Sequence, residues 1–173
     1  KIDGQNSADL PLEEAVGKIR GSKGSEVKLT IWRNGEEDTR EIKVLRDKIN
    51  VKSVNFIQKD GGIGYVKISK FSEDTDIEFN AVSNQIFTKN LKGLIIDVRN
   101  DPGGYLDAAI SIAGKMLPKD KVVVIEESGD KQQKKLLSNG NNILGKIPVV
   151  MLINEGSASA SEILAGALKD NRE

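Results

Sequence analysis

Cysteine and histidine are both absent from this sequence of 173 residues, and aromatic residues make up only 4% of it. The absence of histidine excludes a Ser-His-Asp triad, a Cys-His pair and any histidine-ligated metal site within the chain. The absence of cysteine fits an extracytoplasmic bacterial protein, but also many cytosolic ones. A serine nucleophile in this chain would therefore need another base, and a lysine with a lowered pKa is the usual substitute.

Net charge and long apolar runs are missing as well. The 26 Lys and Arg residues balance 26 Asp and Glu residues, so no overall field favours nucleic acid or an anionic membrane. No apolar run reaches the length of a membrane span, and no signal peptide is visible in a chain that begins at Lys1. With 38% apolar and 30% charged residues, the composition is typical of a globular chain with one ordinary and one small domain.

The most informative stretch of the chain reads VVMLINEGSASASEIL and covers residues 149–164. Its apolar run, 149–153, predicts a strand buried on both faces, and residues 154–156 form a tight break. Apolar residues at helical spacing follow, at Ala160, Ile163, Leu164, Ala167 and Leu168. Three serines therefore fall at the amide-rich start of a helix. There a hydroxyl can act as a nucleophile beside amides that hold an oxyanion.

A purely structural role is the alternative for the middle serine. Ser159 and Glu162 have the Ser-x-x-Glu spacing of a capping box, in which the serine only satisfies a backbone amide. For an arbitrary Ser-x-x-Glu before an apolar run, capping alone is much the commoner explanation. The choice between capping and catalysis therefore depends on the rest of the chain.

A second strand, turn and helix precedes this one in the chain. Residues 94–98 predict a buried strand, 99–104 a turn, and 106–117 a helix with one apolar face. We expect the two strands to be parallel neighbours or near-neighbours, with both turns facing one crevice. Gly103 and Gly104 would present backbone amides without side-chain obstruction, which suits an oxyanion hole. A Pro-Gly-Gly sequence is, however, commonly no more than a turn.

The first 46 residues predict a small α+β unit. A helix after Pro11 ends at Gly21, and alternating apolar residues on both sides of Asn34–Gly35 predict a β-hairpin. This unit resembles the C-terminal half of a PDZ domain, whose carboxylate-binding loop would then precede Lys1. The charged stretch 46–50 marks the expected boundary, so residues 1–46 form the PDZ-like part and 47–173 the second domain.

Shorter elements complete the second domain. Residues 51–57 and 63–69 predict strands around a Gly-Gly turn, followed by a helix to about Asn90. Residues 122–125 predict a further strand, the lysines of 131–137 a solvated face, and 138–145 a polar loop. With the two strand–turn–helix units, these elements indicate an α/β domain.

Two long motifs, IDVRNDPGG at 96–104 and NEGSASASEILAGALKD at 154–170, occur in this order. Together they resemble the carboxyl-terminal processing peptidases, also called tail-specific proteases. The PDZ-like part lies where that family carries its PDZ domain, so the resemblance covers essentially the whole chain. It implies an α/β fold whose mixed-sheet core is related to the Clp protease and crotonase folds. It also implies a serine endopeptidase with a Ser–Lys dyad and without a cofactor or a metal.

The resemblance also implies roles for particular residues. Ser159 matches the family's nucleophile, and the backbone amides of Ala160 and of Gly103 or Gly104 match the oxyanion hole. Asp170 matches an acidic position near the end of the nucleophile helix, with a supportive role. In a protein extended through the dyad lysine, we expect Ser159→Ala to abolish cleavage, whereas Ser157→Ala and Ser161→Ala should leave much of it, with similar melting temperatures for all three variants.

The family's general-base lysine belongs to a Phe-Gly-Lys-Gly segment that we expect beyond Glu173. Lys169 is no substitute, because ten residues of helix place it about 15 Å from Ser159 along the helix axis. A serine hydroxyl without a base is a weak nucleophile. The 173-residue chain by itself is therefore expected not to cleave peptides.

The resemblance favours cleavage near the C-terminal tails of precursor or partly unfolded proteins, in the periplasm or elsewhere outside the bacterial cytoplasm. The expected partners are proteins or peptides with exposed tails and not nucleic acid; a membrane tether outside this chain and a homo-oligomer are both compatible with it. One alternative is a catalytically silent relative that binds peptide termini through the PDZ-like unit. Another is a crotonase-type enzyme acting on acyl-thioesters, which the PDZ-like unit disfavours.

Overall fold

The computed structural model describes residues 1–49 and 51–172, and the chain divides into two units, Lys1–Val51 and Lys52–Glu173. The first unit contains helix α1 (Leu12–Ile19) and an antiparallel hairpin of β1 (Glu26–Ile31) and β2 (Arg40–Leu45). Gly35, in the connection between the two strands, has a φ of 91°. This positive φ explains why glycine suits the hairpin connection.

Arg46 anchors the first unit. Its guanidinium donates hydrogen bonds to the carbonyls of Lys18 at 3.0 Å and Ile19 at 2.7 Å, which are orphan acceptors at the end of α1. It also donates to Ser25 Oγ at 2.9 Å, beside the start of β1. Arg46 therefore joins the helix to the hairpin, whereas the sequence placed it in the charged stretch at the expected boundary.

The second unit has a mixed α/β architecture, as expected from the sequence. In chain order its elements are β3 (Val54–Lys59), β4 (Ile63–Ile68), α2 (Thr75–Thr88), β5 (Gly93–Asp97), α3 (Leu106–Gly114), β6 (Val122–Glu127), β7 (Gln133–Leu137), β8 (Val149–Leu152) and α4 (Ala160–Asn171). The central sheet contains four strands in the order β3-β4-β5-β8, in which β3 and β4 are antiparallel and the other two pairs are parallel. A separate antiparallel hairpin consists of β6 and β7.

The hydrophobic core lies between one face of the sheet and the three helices. Side chains that alternate along the central strands point into it, among them Val66, Ile68, Leu94 and Ile96. From the helices come buried residues that include Phe79, Ile86, Ile112 and Leu164. None of the helices in residues 1–49 and 51–172 is long and apolar enough to cross a membrane.

One of the expected elements differs in the structure. The apolar run 149–153 is not buried on both faces, because Val150 and Ile153 are each 58% exposed. Val149 and Met151 pack against the core, so Val150, which alternates with them, points to the other face of the sheet, which is open there, and Ile153 follows the end of β8. The lysines of 131–137 are exposed, as the sequence predicts, and the stretch also contains the strand β7, in which Lys134 pairs with Glu126 across the hairpin.

Candidate active site

The turns that follow β5 and β8 lie side by side. The two strands are parallel neighbours, with Asp97 opposite Leu152 at their carboxyl ends, which confirms the expected pairing. The backbone amide of Asn100 donates to Asn154 Oδ1 at 2.8 Å, and the side-chain Nδ2 of Asn154 donates to Asn100 Oδ1 at 2.9 Å. These reciprocal bonds join the turns 99–104 and 154–159 directly, so both belong to one site, as predicted.

A buried carboxylate fixes the first turn at its start. Asp97, 1% exposed, accepts hydrogen bonds from Tyr65 Oη at 2.6 Å, the Arg99 amide at 2.9 Å and Arg99 Nη2 at 2.7 Å. Lys67 Nζ donates to it from β4 at 3.3 Å. The hydrogen bonds to Asp97, chiefly those from the Arg99 guanidinium, hold the pKa of this carboxyl well below its usual range, although burial by itself raises it.

The hydrogen bond that Tyr65 donates to Asp97 raises the pKa of the Tyr65 hydroxyl. Sequence reasoning missed this cluster and treated residues 94–98 only as a buried strand. The available indications were the ionisable Asp97 at the end of an apolar run, and the polar Tyr65 and Lys67 alternating with apolar residues in β4. A charged residue in such a run is rarely buried without partners.

Ser159 adopts an unusual backbone conformation, with φ 54° and ψ −118°, immediately before α4. Positive φ is uncommon for a residue with a side chain, and such strain is of the order of 1–3 kcal/mol. The side chain is exposed. A strained strand-to-helix turn that presents a serine hydroxyl is the arrangement used by nucleophile elbows.

The three serines of this turn differ in what their hydroxyls do. Ser157 Oγ donates to the Val98 carbonyl at 2.8 Å and accepts from the backbone amide of Asn154 at 3.0 Å. Ser161 is completely buried, and its Oγ donates to the Asp101 carbonyl at 3.1 Å. Both of these hydroxyls hold the turns together, so Ser159 is the one placed to meet a substrate.

The capping box predicted from Ser-x-x-Glu is also present. Glu162 Oε2 accepts a hydrogen bond from the Ser159 amide at 3.1 Å, and the Ser159 side chain faces the Glu162 backbone. Within residues 1–49 and 51–172, only the first of these contacts has full hydrogen-bond geometry. In a capping box the serine oxygen is an acceptor, so its proton stays available for transfer to a base. Capping and nucleophilic attack are therefore compatible at this residue.

Gly103 and Gly104 both occupy positions that exclude a side chain. A Cβ on Gly103 would lie 2.5 Å from the Ala158 carbonyl oxygen and 2.8 Å from the Ala160 amide nitrogen. A Cβ on Gly104 would lie 2.0 Å from the Phe71 carbonyl oxygen. Their φ values are 89° and 139°, in the region that favours glycine. The first turn thus packs backbone to backbone against the start of α4.

The two glycines differ in whether their amides are occupied. The Gly103 amide donates to Asp101 Oδ1 at 2.8 Å. The Phe71 amide donates to the Gly103 carbonyl, and the Tyr105 amide donates to the Phe71 carbonyl. These two bonds flank Gly104, so the amide of Gly104 itself points away from Phe71. Over the described part of the chain, neither the Gly104 amide nor the Ala160 amide has an acceptor. The sequence did not decide between Gly103 and Gly104 as the source of an oxyanion-hole amide, and the hydrogen bonding of the two amides favours Gly104.

Asp170 lies far from this group. It is exposed near the end of α4, and eleven residues of helix separate it from Ser159, which is about 16 Å along the axis. The structure therefore brings together Ser159, Ala160, Gly103 and Gly104 but not Asp170. Among the residues described, no group of three or more carboxylates is arranged to hold a metal ion.

Comparison with known proteins adds independent findings. The model of the family described as "Peptidase family S41" matches residues 62–173. A "Probable CtpA-like serine protease" of Staphylococcus haemolyticus is 40% identical over 174 residues, covering 100% of this chain and 34% of the relative. A "Carboxy-terminal-processing protease" of Bartonella bacilliformis is 39% identical over 176 residues, covering 99% of this chain and 40% of the relative.

A solved structure shares the fold. The "photosystem II D1 C-terminal processing protease" matches with a TM-score of 0.64 and 28% identity, over 98% of this chain and 47% of that protein. The chain thus spans between 34% and 40% of the length of these two curated relatives. The family model, the relatives and the shared fold agree, and the chain belongs to peptidase family S41, with the carboxyl-terminal processing proteases as its relatives.

Proposed function

We propose that this chain is part of a serine endopeptidase that cleaves near the carboxyl-terminal tails of precursor or partly unfolded proteins. The observation that carries the proposal is Ser159, an exposed hydroxyl on a strained turn beside two backbone amides that have no acceptor among the described residues. The names of the relatives support the reaction class and the processing of carboxyl termini.

The proposed chemistry uses the geometry of the two turns. Ser159 Oγ attacks the scissile carbonyl while its proton passes to a lysine supplied by the family segment expected beyond Glu173. The amides of Ala160 and Gly104 donate to the oxygen on which negative charge develops. Collapse of the tetrahedral intermediate breaks the C–N bond, and the amine leaves with the proton. Water then hydrolyses the acyl-enzyme and regenerates the serine.

The remaining site residue, Asp170, has a supportive role in this proposal. Its separation of about 16 Å from Ser159 excludes direct proton transfer between their side chains. It lies on the exposed surface of α4 near β6, on the same groove as Glu162. We assign it to the support of the helix that carries the nucleophile.

Labelling with a fluorophosphonate tests the assignment of the nucleophile. The protein used extends through the lysine segment, because a hydroxyl needs its base to react. Ser159→Ala is expected to abolish labelling, and Ser157→Ala is the matched control, since it removes a neighbouring hydroxyl that is bound to Val98. Full labelling of Ser159→Ala would disprove the proposal.

The cellular setting follows from the same proposal. We propose that the parent protein is exported to the periplasm or cell envelope and acts on proteins with exposed tails; nucleic acid has no role in it. A membrane tether outside this chain and a homo-oligomer are both compatible with the proposal. Recovery of the mature protein from the cytosolic fraction of its host would contradict the proposed location.

A further inference from the structure

The chain contains two Asn-Gly steps, Asn34–Gly35 and Asn139–Gly140, and the structure holds them differently. In this dipeptide the asparagine side chain can react with the backbone, because a glycine has no side chain to shield its own amide nitrogen. The reaction also requires the backbone around the asparagine to change conformation. Accessibility and backbone freedom therefore decide which of the two steps reacts in the folded protein.

Asn34–Gly35 lies in the connection between β1 and β2. The Glu36 amide donates to the Arg33 carbonyl at 3.0 Å, so Asn34 and Gly35 are the central pair of a tight turn. Both residues are exposed, and a Cβ on Gly35 would meet nothing within 4 Å. Over the described residues, the Gly35 amide has no backbone acceptor. Its nitrogen is thus free of both packing and backbone bonding.

Asn139–Gly140 is packed instead. A Cβ on Gly140 would lie 1.7 Å from the Gly114 carbonyl oxygen at the end of α3, so the two glycines are in backbone contact. The Gly140 amide donates to Ser138 Oγ at 3.5 Å, and Ser138 itself is buried. After the step, the Asn142 amide donates to the Gly114 carbonyl at 3.0 Å. Although Asn139 is exposed, its backbone is held on both sides.

We propose that Asn34 is a site of spontaneous deamidation in the folded protein, whereas Asn139 is protected. The Gly35 amide loses its proton to a solvent base, and its nitrogen forms a bond to Asn34 Cγ. The bond between Cγ and Nδ2 then breaks, and Nδ2 takes a proton from water and leaves as ammonia. The product is a five-membered succinimide ring. This modification is independent of the peptidase activity proposed above.

Water then opens the ring in one of two ways. Attack at Cγ breaks its bond to the Gly35 nitrogen and leaves an aspartate. Attack at the main-chain carbonyl carbon of Asn34 breaks the other C–N bond and leaves an isoaspartate, whose backbone path is one carbon longer. Nothing is oxidised or reduced, since one amide nitrogen is replaced by oxygen from water. Either product adds a negative charge beside Glu36, Glu37 and Asp38.

Peptide mapping of the 173-residue protein tests the proposal. During incubation at pH 8 under native conditions, mass spectrometry should show the peptide containing Asn34 converting about tenfold faster than the peptide containing Asn139, or more, because Asn139 reacts only during local opening. In urea sufficient to unfold the chain, the two rates should become similar. Equal rates in the folded protein, or faster conversion at Asn139, would overturn the proposal.

Asn34→Gln is the matched control, because its longer side chain would have to close a six-membered ring, which is much slower. The only tryptophan of the chain provides a second measurement: Trp32 Nε1 donates to the Glu36 carbonyl at 3.0 Å across the turn. Wild-type tryptophan fluorescence should change with the same time course as the mass, and that of Asn34→Gln should stay constant. No conversion at Asn34, or equally fast conversion in Asn34→Gln, would refute the proposed reaction.

Discussion

At the scale of single residues, the three serines around the start of α4 have the same side chain but make different contacts. Ser157 and Ser161 bond to carbonyls of the first turn, while Ser159 is exposed and strained. The expectation that all three alanine variants melt at similar temperatures therefore needs revision. Loss of a hydroxyl bond of this kind costs about 1 kcal/mol, and the buried Ser161 and half-buried Ser157 should both show it.

The strain at Ser159 predicts an unusual pair of stabilities. Glycine adopts positive φ without penalty and is also a better N-cap than alanine. We expect the free energy of unfolding of Ser159→Gly to exceed that of Ser159→Ala by about 1 kcal/mol, although both lack the hydroxyl. Urea denaturation of the two variants measures the difference. If alanine is equally stable, the conformation of Ser159 is not strained in solution.

The buried Asp97 predicts a loss of stability in acid. Its pKa is lowered by its partners, chiefly Arg99, so the stabilisation is present above the ordinary carboxyl pKa and is lost as pH falls below it. Asp97→Asn should lower the free energy of unfolding at pH 7 by about 2 kcal/mol, since it weakens several charge-assisted bonds. The gap between wild type and variant should narrow toward pH 3 in urea denaturation. A gap that stays constant with pH would show that the carboxylate is not the stabilising form.

At the scale of elements, the two strand–turn–helix units could be predicted because their sequences combine apolar runs, glycine-rich turns and helical periodicity. The exposure of β8 could not, because an apolar run does not show whether one or both faces of its sheet are covered. The side-chain network of Asp97 and Asp101 also escaped prediction. Its partners come from β4, the first turn and α4, and no local pattern connects them.

The backbone contacts of the first turn determine how its oxyanion role must be tested. A side chain at Gly104 would collide with the Phe71 carbonyl, so alanine or proline there disturbs packing as well as the amide. Replacing Gly104 by glycolic acid through semisynthesis removes the N–H without adding a side chain, and it also makes the Gly103 carbonyl a weaker acceptor for the Phe71 amide. Turnover is then expected to fall on the order of 10²–10³-fold, the usual effect of losing one oxyanion donor.

The matched control for this experiment is glycolic acid at Gly129, in the exposed turn between β6 and β7. It carries the same ester through the same synthesis but lies outside the two turns of the site. Turnover should be unchanged there. An equal and small effect at both positions would remove Gly104 from the oxyanion hole and return the assignment to Gly103.

At the scale of the whole molecule, the part of the chain that the structure describes brings together the proposed nucleophile and the proposed oxyanion donors, and neither a histidine nor Lys169 is placed to act as their base. Its histidine count is zero, and Lys169 is separated from Ser159 by the length of α4. Lys67 is bound to Asp97 and to the Arg99 carbonyl, which keeps its ammonium engaged. The relatives are longer, since this chain covers 34% of one and 40% of another.

The 173-residue chain is therefore expected to fold and yet not cleave peptides. Its second unit has a closed core between the sheet and three helices, so circular dichroism should show a cooperative melt. Peptide hydrolysis should stay at background from pH 6 to 10. The chain extended through the lysine segment should instead gain activity as pH rises and the lysine loses its proton. Cleavage by the 173-residue chain, abolished in Ser159→Ala, would show that a group within it acts as the base, and Lys67 would be the first residue to substitute.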